Sequence, residues 1–164
     1  MAVRGKIILG LDPGFADTGF GIISVKEHKL KFITAGSIRT SKDIVFSKRL
    51  QSIYLYIDKL IKKYKPDIVA VEKLYFARNV KTALDVGQAR GVALLAIERN
   101  NKDLLEFTPS QIKQAVAASG NANKQQVGQM VKMILHLKEV PKSDDAADAL
   151  ATAITASFFN KKLV

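Results

Sequence analysis

The sequence predicts an α/β fold in which helices flank a mixed β-sheet. Three apolar, β-type segments with short connections occupy the first forty residues. A strongly amphipathic helix follows them, and strand and helix patterns then alternate. Strands joined by short links pair antiparallel, whereas strands separated by a helix pair in parallel. The order of the patterns therefore predicts both kinds of pairing in one sheet.

Three strands are predicted at the start of the chain. The apolar run at residues 7–11 ends at Asp12, directly before the Pro-Gly of a turn. Residues 19–25 and 30–38 are two further β-type runs with a short polar link between them. These short connections predict an antiparallel meander.

The strongest helical pattern follows the meander and precedes a fourth strand. Its apolar residues have the i, i+3, i+4, i+7 spacing of one helix face, at Leu50, Ile53, Tyr54, Ile57, Leu60, Ile61 and Tyr64. Pro66 ends this helix. The β-branched run at residues 67–72 is then predicted as a buried strand whose last residue is Glu72.

A second helix is predicted at about residues 80–99. Ala83, Gly87 and Gly91 recur on it at a spacing of four. Because an interior glycine costs a helix about 1 kcal/mol, we expect another element to approach here, either the sheet or a second subunit. The remaining pattern predicts a strand at 104–108 and helices at 109–118, 124–136 and 143–159, with a break at 121–123.

Length and charge limit the class of protein. The 164 residues suffice for one domain, placed at residues 1–159, with a basic C-terminal tail at 160–164. Lys and Arg number 26 against 15 Asp and Glu, and the net charge of +11 indicates a polyanionic partner, with nucleic acid favoured over a membrane surface. Solubility alone is the alternative explanation. The apolar run at 7–11 is too short for a signal peptide, so we expect a cytoplasmic protein.

Two acidic residues end predicted strands. Active sites of α/β sheets form where neighbouring strands end, so Asp12 and Glu72 converge if their strands are adjacent. An Asp before Pro-Gly also fits a simple turn role. No turn residue follows Glu72, and Glu disfavours strands, which favours a functional role for Glu72.

A third group of acids begins the last helix. Ser143 and Asp144 are residue types that cap helix starts, where the helix dipole favours negative charge. Asp148 lies a turn further in, among alanines, and capping does not explain it. Asp148 shares a helix face with Asp145, three residues before it, and equally with Asp144, four residues before it. Spacing alone does not choose between them.

Crowded carboxylates repel one another unless a cation lies among them. Since the chain has no cysteine, metal ligands must be oxygen or imidazole. The fitting ion is Mg²⁺, which binds carboxylates, waters and phosphate oxygens. Two ions about 3.5 to 4 Å apart could hold the attacking and leaving oxygens of a phosphoryl displacement. The sequence therefore predicts a metal-dependent nuclease.

Four motifs, in their order and spacing, resemble those of the RuvC Holliday-junction resolvases. They are LGLDPG at 9–14 with Thr18-Gly19, Val71-Glu72, GQARGVA at 87–93 and DAADALA at 145–151. The resemblance covers nearly the whole chain. It implies a ribonuclease-H-like fold, a homodimer, and nicking of two symmetrically placed strands in a four-way DNA junction during recombination and repair. It also implies two Mg²⁺ ions per site, with Mn²⁺ as a substitute, and RuvA and RuvB as partners.

The resemblance also assigns roles to residues. The metal-binding, catalytic carboxylates that it implies are Asp12, Glu72, Asp145 and Asp148, which leaves Asp144 as a helix cap. Lys113 and Lys124 match basic residues near the scissile phosphate. Their alternative is a solvated helix lysine.

An aromatic residue, often Phe, stands three residues after the Glu in the family, and Tyr75 takes that place here. Phe76 lies beside it, and either ring could stack on junction bases or belong to the core. Arg78 and Lys81 follow, and we expect them to contact DNA phosphates, with an exposed helix start as the alternative.

Two rival functions belong to other classes. The Asp-Pro-Gly and Thr-Gly motifs also resemble the phosphate loop of actin-like and sugar-kinase ATPases, but those enzymes need two lobes and a longer chain. A junction-binding protein without catalysis is the second rival. Four acids beside DNA would be electrostatically costly in such a protein.

Overall fold

The computed structural model describes residues 5–74 and 80–159, with the backbone alone at residues 80 and 81. In this part of the chain, five strands form one sheet and five helices pack on it. The strands are β1 (Lys6–Asp12), β2 (Asp17–Lys26), β3 (Lys29–Arg39), β4 (Ile68–Glu72) and β5 (Asp103–Phe107). The helices are α1 (Phe46–Tyr64), α2 (Val80–Arg99), α3 (Pro109–Ala117), α4 (Lys124–Ile134) and α5 (Asp144–Phe159).

The sheet has the strand order β3-β2-β1-β4-β5. The first three strands pair antiparallel, and β4 pairs in parallel with both β1 and β5. The predicted mixed sheet flanked by helices is thus confirmed. Within the described residues, no helix has both the length and the apolar content needed to cross a bilayer.

Side chains of the central strands alternate between two cores, as the period of two requires. Leu9 and Leu11 of β1 pack on the face covered by α1 and α2. Ile8 packs on the opposite face, against α3, α4 and α5. Asp12 lies an even number of residues from Ile8, so its side chain points to the face that α5 covers.

One expectation about the helices is narrowed and one is corrected. Among the described residues, no atom lies within 4 Å of a Cβ placed on Gly87 or Gly91, so the sheet is not the element that approaches α2 at these glycines, and a second subunit stays the alternative. Helix α4 ends at Ile134 and not at residue 136, because His136 adopts a left-handed backbone conformation with φ of 51°. Tyr75, Phe76, Arg78 and the tail at 160–164 lie outside the described residues.

Candidate metal-dependent nuclease site

Asp12 and Glu72 end two adjacent parallel strands. The ladder between β1 and β4 pairs Leu11 with Val71, so the next residue of each strand is one of the two acids. Ala70 packs on the α5 face of the sheet, and Glu72 is two residues further along β4. Both carboxylates therefore lie at one edge of the sheet and on one face.

Helix α5 brings the second pair of acids to this edge. The hydroxyl oxygen of Ser143 accepts a bond from the Ala146 N–H at 3.4 Å, so Ser143 caps the helix and not Asp144 as expected. Asp144 is an exposed first-turn residue. Asp145 and Asp148 are half-buried and share the face that lies against the sheet.

Glycines in the sheet set the height of α5 above it. A Cβ atom on Gly19 would lie 2.0 Å from the Asp145 carbonyl oxygen and 3.0 Å from the Asp145 Cβ. Gly19 is the cross-strand neighbour of Asp12. The missing side chain therefore lets Asp145 lie directly above the strand pair that carries Asp12. A glycine inside a strand is the sequence signal of such an approach.

The four acids act on one another electrostatically. Burial raises the pKa of Asp12 to about 8, and the charges of Glu72, Asp148 and Asp145 add to the rise. Burial also raises the pKa of Glu72 to about 7, with Asp148 contributing. The pKa of Asp148 is raised mainly by burial, although Lys124 opposes the shift. The cluster thus holds protons at neutral pH when no cation neutralises it.

Two lysines face the acid cluster from the other helices. The Lys124 ammonium, at the start of α4, lies 3.6 Å from Asp148 and 3.8 Å from Asp144. Burial lowers the pKa of Lys124, but Asp148 and Asp144 outweigh it and hold that pKa above its usual value. Lys113 of α3 lies near enough to lower the pKa of Glu72. Both predicted basic residues are therefore at the site.

The donor set fits Mg²⁺. In the described part of the chain, no three Asp, Glu or His side chains are arranged to hold a metal by themselves. Mg²⁺ does not require such a cage, since it commonly binds one or two carboxylates and completes its shell with waters and substrate phosphates. Asp12, Glu72, Asp145 and Asp148 could supply oxygen ligands, and a divalent cation would relieve the repulsion among them.

One ion pair close to the site was not anticipated from the sequence. Arg90 of α2 bonds to Glu106 of β5, and both side chains are largely buried. Glu106 is the cross-strand neighbour of Val71, next to Glu72, so the pair ties α2 to the strand beside the acids. Lys81 is the second residue of the same helix and is described by its backbone alone.

A mixed sheet with the order β3-β2-β1-β4-β5 and flanking helices is a ribonuclease-H-like fold, and the acids at the ends of two adjacent parallel strands and on the helix across that edge make this edge a candidate nuclease site. The model of the family described as "Crossover junction endodeoxyribonuclease RuvC" matches residues 8–156. The chain belongs to this family.

Individual relatives agree with the family match. A crossover junction endodeoxyribonuclease RuvC from Natranaerobius thermophilus is 52% identical over 151 residues, which cover 92% of this chain and 94% of the relative. Thermus thermophilus RuvC, solved in complex with Holliday junction substrate, superposes with a TM-score of 0.89 at 34% identity, covering 94% of each chain. The yeast mitochondrial resolvase Ydc2 shares the fold, with a TM-score of 0.67 at 18% identity over 94% of this chain and 80% of that one.

Proposed function

We propose that this protein resolves four-way DNA junctions by two symmetric, Mg²⁺-dependent nicks during recombination and repair. The observation that carries the proposal is the convergence of Asp12, Glu72, Asp145 and Asp148 at one sheet edge. Membership of the RuvC family supports the reaction, and the complex of the T. thermophilus relative with a Holliday junction supports the substrate.

The four carboxylates are our proposed ligands for two Mg²⁺ ions, with Mn²⁺ as a substitute. Bound ions would lower the pKa of the attacking water and neutralise charge on the phosphate. The chain itself contributes a preorganised set of oxygen ligands, half-buried and fixed on two strands and one helix. The products expected from the family chemistry are a 5′-phosphate and a 3′-hydroxyl.

Six basic and aromatic residues are our proposed DNA contacts. Lys113 and Lys124 would attract the scissile phosphate, because both ammonium groups lie close enough to the acids to lower the pKa of Glu72. Tyr75 and Phe76 follow Glu72 and offer rings for base stacking. Arg78 and Lys81 are proposed to contact phosphates, in keeping with the net charge of +11.

A homodimer would present two such sites to a two-fold symmetric junction. Helix α2 supports this proposal, since its exposed face carries Leu84 and Leu95, which are 68% and 53% exposed. Gly87 and Gly91 lie along the same side of α2, and no atom of the described part of the chain lies within 4 Å of a Cβ placed on either. Small residues between exposed leucines would let the helices of two copies pack closely. We therefore assign α2 to the dimer interface.

Two further assignments follow from the family alone. We propose cooperation with the RuvA and RuvB branch-migration complex. Work on chromosomal DNA would place the protein in the cytoplasm.

The test uses a labelled synthetic four-way junction and a linear duplex of matching sequence, each with Mg²⁺ and with EDTA. We expect paired nicks in the junction alone, and only with Mg²⁺. Asp12→Asn should bind the junction but cut it at least about 10³-fold more slowly, because it removes a ligand charge at the reacting centre. Junction binding without Mg²⁺-dependent nicks would contradict the proposal and leave a binding module.

A further inference from the structure

The loop that follows Asp12 is held at three consecutive carbonyls. It comprises residues 13–16 and joins the end of β1 to the start of β2. The donors are Thr18 Oγ1 to the Gly14 carbonyl at 2.6 Å, Thr40 Oγ1 to the Phe15 carbonyl at 2.7 Å and the Thr40 N–H to the Ala16 carbonyl at 2.9 Å. A surface loop is usually among the most mobile parts of a domain. In this loop, three of the four residues instead accept hydrogen bonds at their carbonyls.

The Phe15 side chain is fixed as well. Its ring stacks on that of Phe46, with centroids 4.6 Å apart, and the Arg49 guanidinium lies 3.7 Å from the Phe15 centroid. Arg49 also donates from Nε to Thr40 Oγ1 at 3.0 Å and from Nη2 to the Thr40 carbonyl at 3.3 Å. We call Phe15, Thr40, Phe46 and Arg49 the loop anchor. It connects the start of α1 and the end of β3 to the loop.

Arg49 holds Phe15 and Thr40 in place through its contacts and does not neutralise an acidic side chain. None of the ion pairs that the structure describes includes Arg49. The guanidinium stacks on the ring of Phe15 and donates to two oxygens of Thr40. Only a planar group with several N–H donors can make these contacts at the same time. A lysine would keep the positive charge and lose this arrangement.

Asp12 depends on the loop for its position. The parallel ladder with β4 ends at the pair Leu11–Val71, so within the described strands Asp12 is paired only with Gly19 of β2. Beyond Asp12 the chain enters the loop directly. Any movement of residues 13–16 would therefore change where the Asp12 carboxylate lies relative to Glu72 and Asp148.

We propose that Arg49 is a positioning residue for junction cleavage, acting through Phe15 and Thr40 to fix the loop and with it Asp12. The inference rests on the proposed function, in which Asp12 is a metal ligand. Residues that orient a metal ligand are commonly worth 10- to 100-fold in affinity or activity.

The test compares Arg49→Lys with Lys48→Ala. Arg49→Lys keeps the charge, whereas Lys48→Ala removes a charge from the neighbouring residue, whose exposed side chain bonds only to Gln51 at 3.3 Å among the described contacts. For Arg49→Lys we expect wild-type junction affinity in EDTA. Its single-turnover cleavage at saturating protein should fall by about tenfold or more, the Mg²⁺ concentration for half-maximal rate should rise, and the Mg²⁺-induced increase in Tm should shrink. Lys48→Ala should cleave at the wild-type rate once bound.

A second pair of variants tests the same contacts without changing charge. Thr40→Val removes the hydroxyl that bridges Arg49 and Phe15, and should reproduce the Arg49→Lys defect. Thr40→Ser keeps the hydroxyl and should restore cleavage to near the wild-type rate. If Arg49→Lys fails to fold, the two Thr40 variants still test whether these contacts are needed for cleavage.

Wild-type cleavage by Arg49→Lys or Thr40→Val would overturn the inference. An affinity loss shared by Arg49→Lys and Lys48→Ala, with normal cleavage of the bound junction, would also overturn it, because Arg49 would then be only a DNA contact. If the wild-type protein makes no nicks, the proposed function itself is wrong. This outcome is distinguishable from failure of the inference, which is measured on the variants relative to an active wild type.

Discussion

At the scale of single residues, the raised pKa values of Asp12 and Glu72 determine the charge of the acid cluster near neutral pH. Asp12 and Glu72 have pKa values of about 8 and about 7, because they are buried beside other carboxylates. At neutral pH the metal-free cluster is therefore partly protonated. A divalent cation would have to displace these protons to bind.

The raised pKa values predict how stability depends on pH without metal. The ordinary pKa values are 3.8 for Asp12 and 4.5 for Glu72, so the folded state binds more protons than the unfolded state between about pH 4 and about pH 8. The free energy of unfolding should consequently fall as pH rises through this range. We expect the Tm in EDTA to fall between about pH 5 and pH 8 by about 5 to 10 °C more for the wild type than for Asp12→Asn.

Differential scanning fluorimetry of both proteins across this pH range, in EDTA and in Mg²⁺, measures the effect. Mg²⁺ should flatten the wild-type profile, because it neutralises the cluster. Identical EDTA profiles for the wild type and Asp12→Asn would show that Asp12 ionises normally, contrary to the account.

The sequence indicated some of these residues better than others. The convergence of Asp12 and Glu72 was predictable because both residues end strands of one sheet, although an Asp before Pro-Gly also fits a turn role. Asp145 was not separable from Asp144 by spacing, since both lie on the face of Asp148. The ion pair between Lys124 and Asp148 was not predictable, because a long exposed side chain at a helix start can reach several partners.

At the scale of elements, the contact between α5 and the sheet decides whether the acids meet. Gly10 and Gly19 let the helix backbone approach the strands so closely that a Cβ on either would lie 2.0 Å from a helix carbonyl oxygen. Only Gly19 makes this contact with Asp145 itself. The distance between α5 and the sheet is therefore set by a glycine at the same place where the acids lie.

Gly19→Ala should displace the first turn of α5 and with it Asp145. We expect destabilisation by about 1 to 3 kcal/mol from overpacking, and cleavage slower by about 100-fold at a temperature where the variant is folded. Ile154→Ala is the matched control, because Ile154 is fully buried near the other end of α5. It should destabilise by about 2 to 5 kcal/mol and leave cleavage by the folded protein unchanged.

Thermal unfolding and single-turnover cleavage, measured on both variants below their transitions, separate the two effects. If Gly19→Ala cleaves as well as Ile154→Ala does, the contact between Gly19 and Asp145 does not position the acid.

Most elements were predictable because their patterns were long and regular. The seven apolar positions of α1 and the β-branched run of β4 have one consistent interpretation each. The end of α4 was not, since no glycine or proline marks it and His136 takes the left-handed conformation instead. The glycines of α2 indicated a close approach, and no atom of the described residues makes it at Gly87 or Gly91.

At the scale of the whole molecule, the proposed symmetry of cutting depends on α2. Leu95→Glu places a charge on the exposed apolar face of α2 and should convert the dimer to a monomer, as measured by sedimentation velocity. Met133→Glu is the control, because Met133 is 64% exposed on α4, which packs on the opposite face of the sheet. A dimeric Leu95→Glu protein would contradict the assignment of α2 to the interface.

The most direct test of the central claim uses a supercoiled plasmid with an extruded cruciform, incubated with the wild-type protein and Mg²⁺. Two paired acidic centres should cut both strands before the relaxed cruciform is lost, so we predict linear plasmid with ligatable ends placed symmetrically about the junction. Asp12→Asn should leave the plasmid supercoiled, and Leu95→Glu should yield nicked circles. Nicked circles from the wild type, or linear product in EDTA, would contradict a dimer of metal-dependent resolving sites.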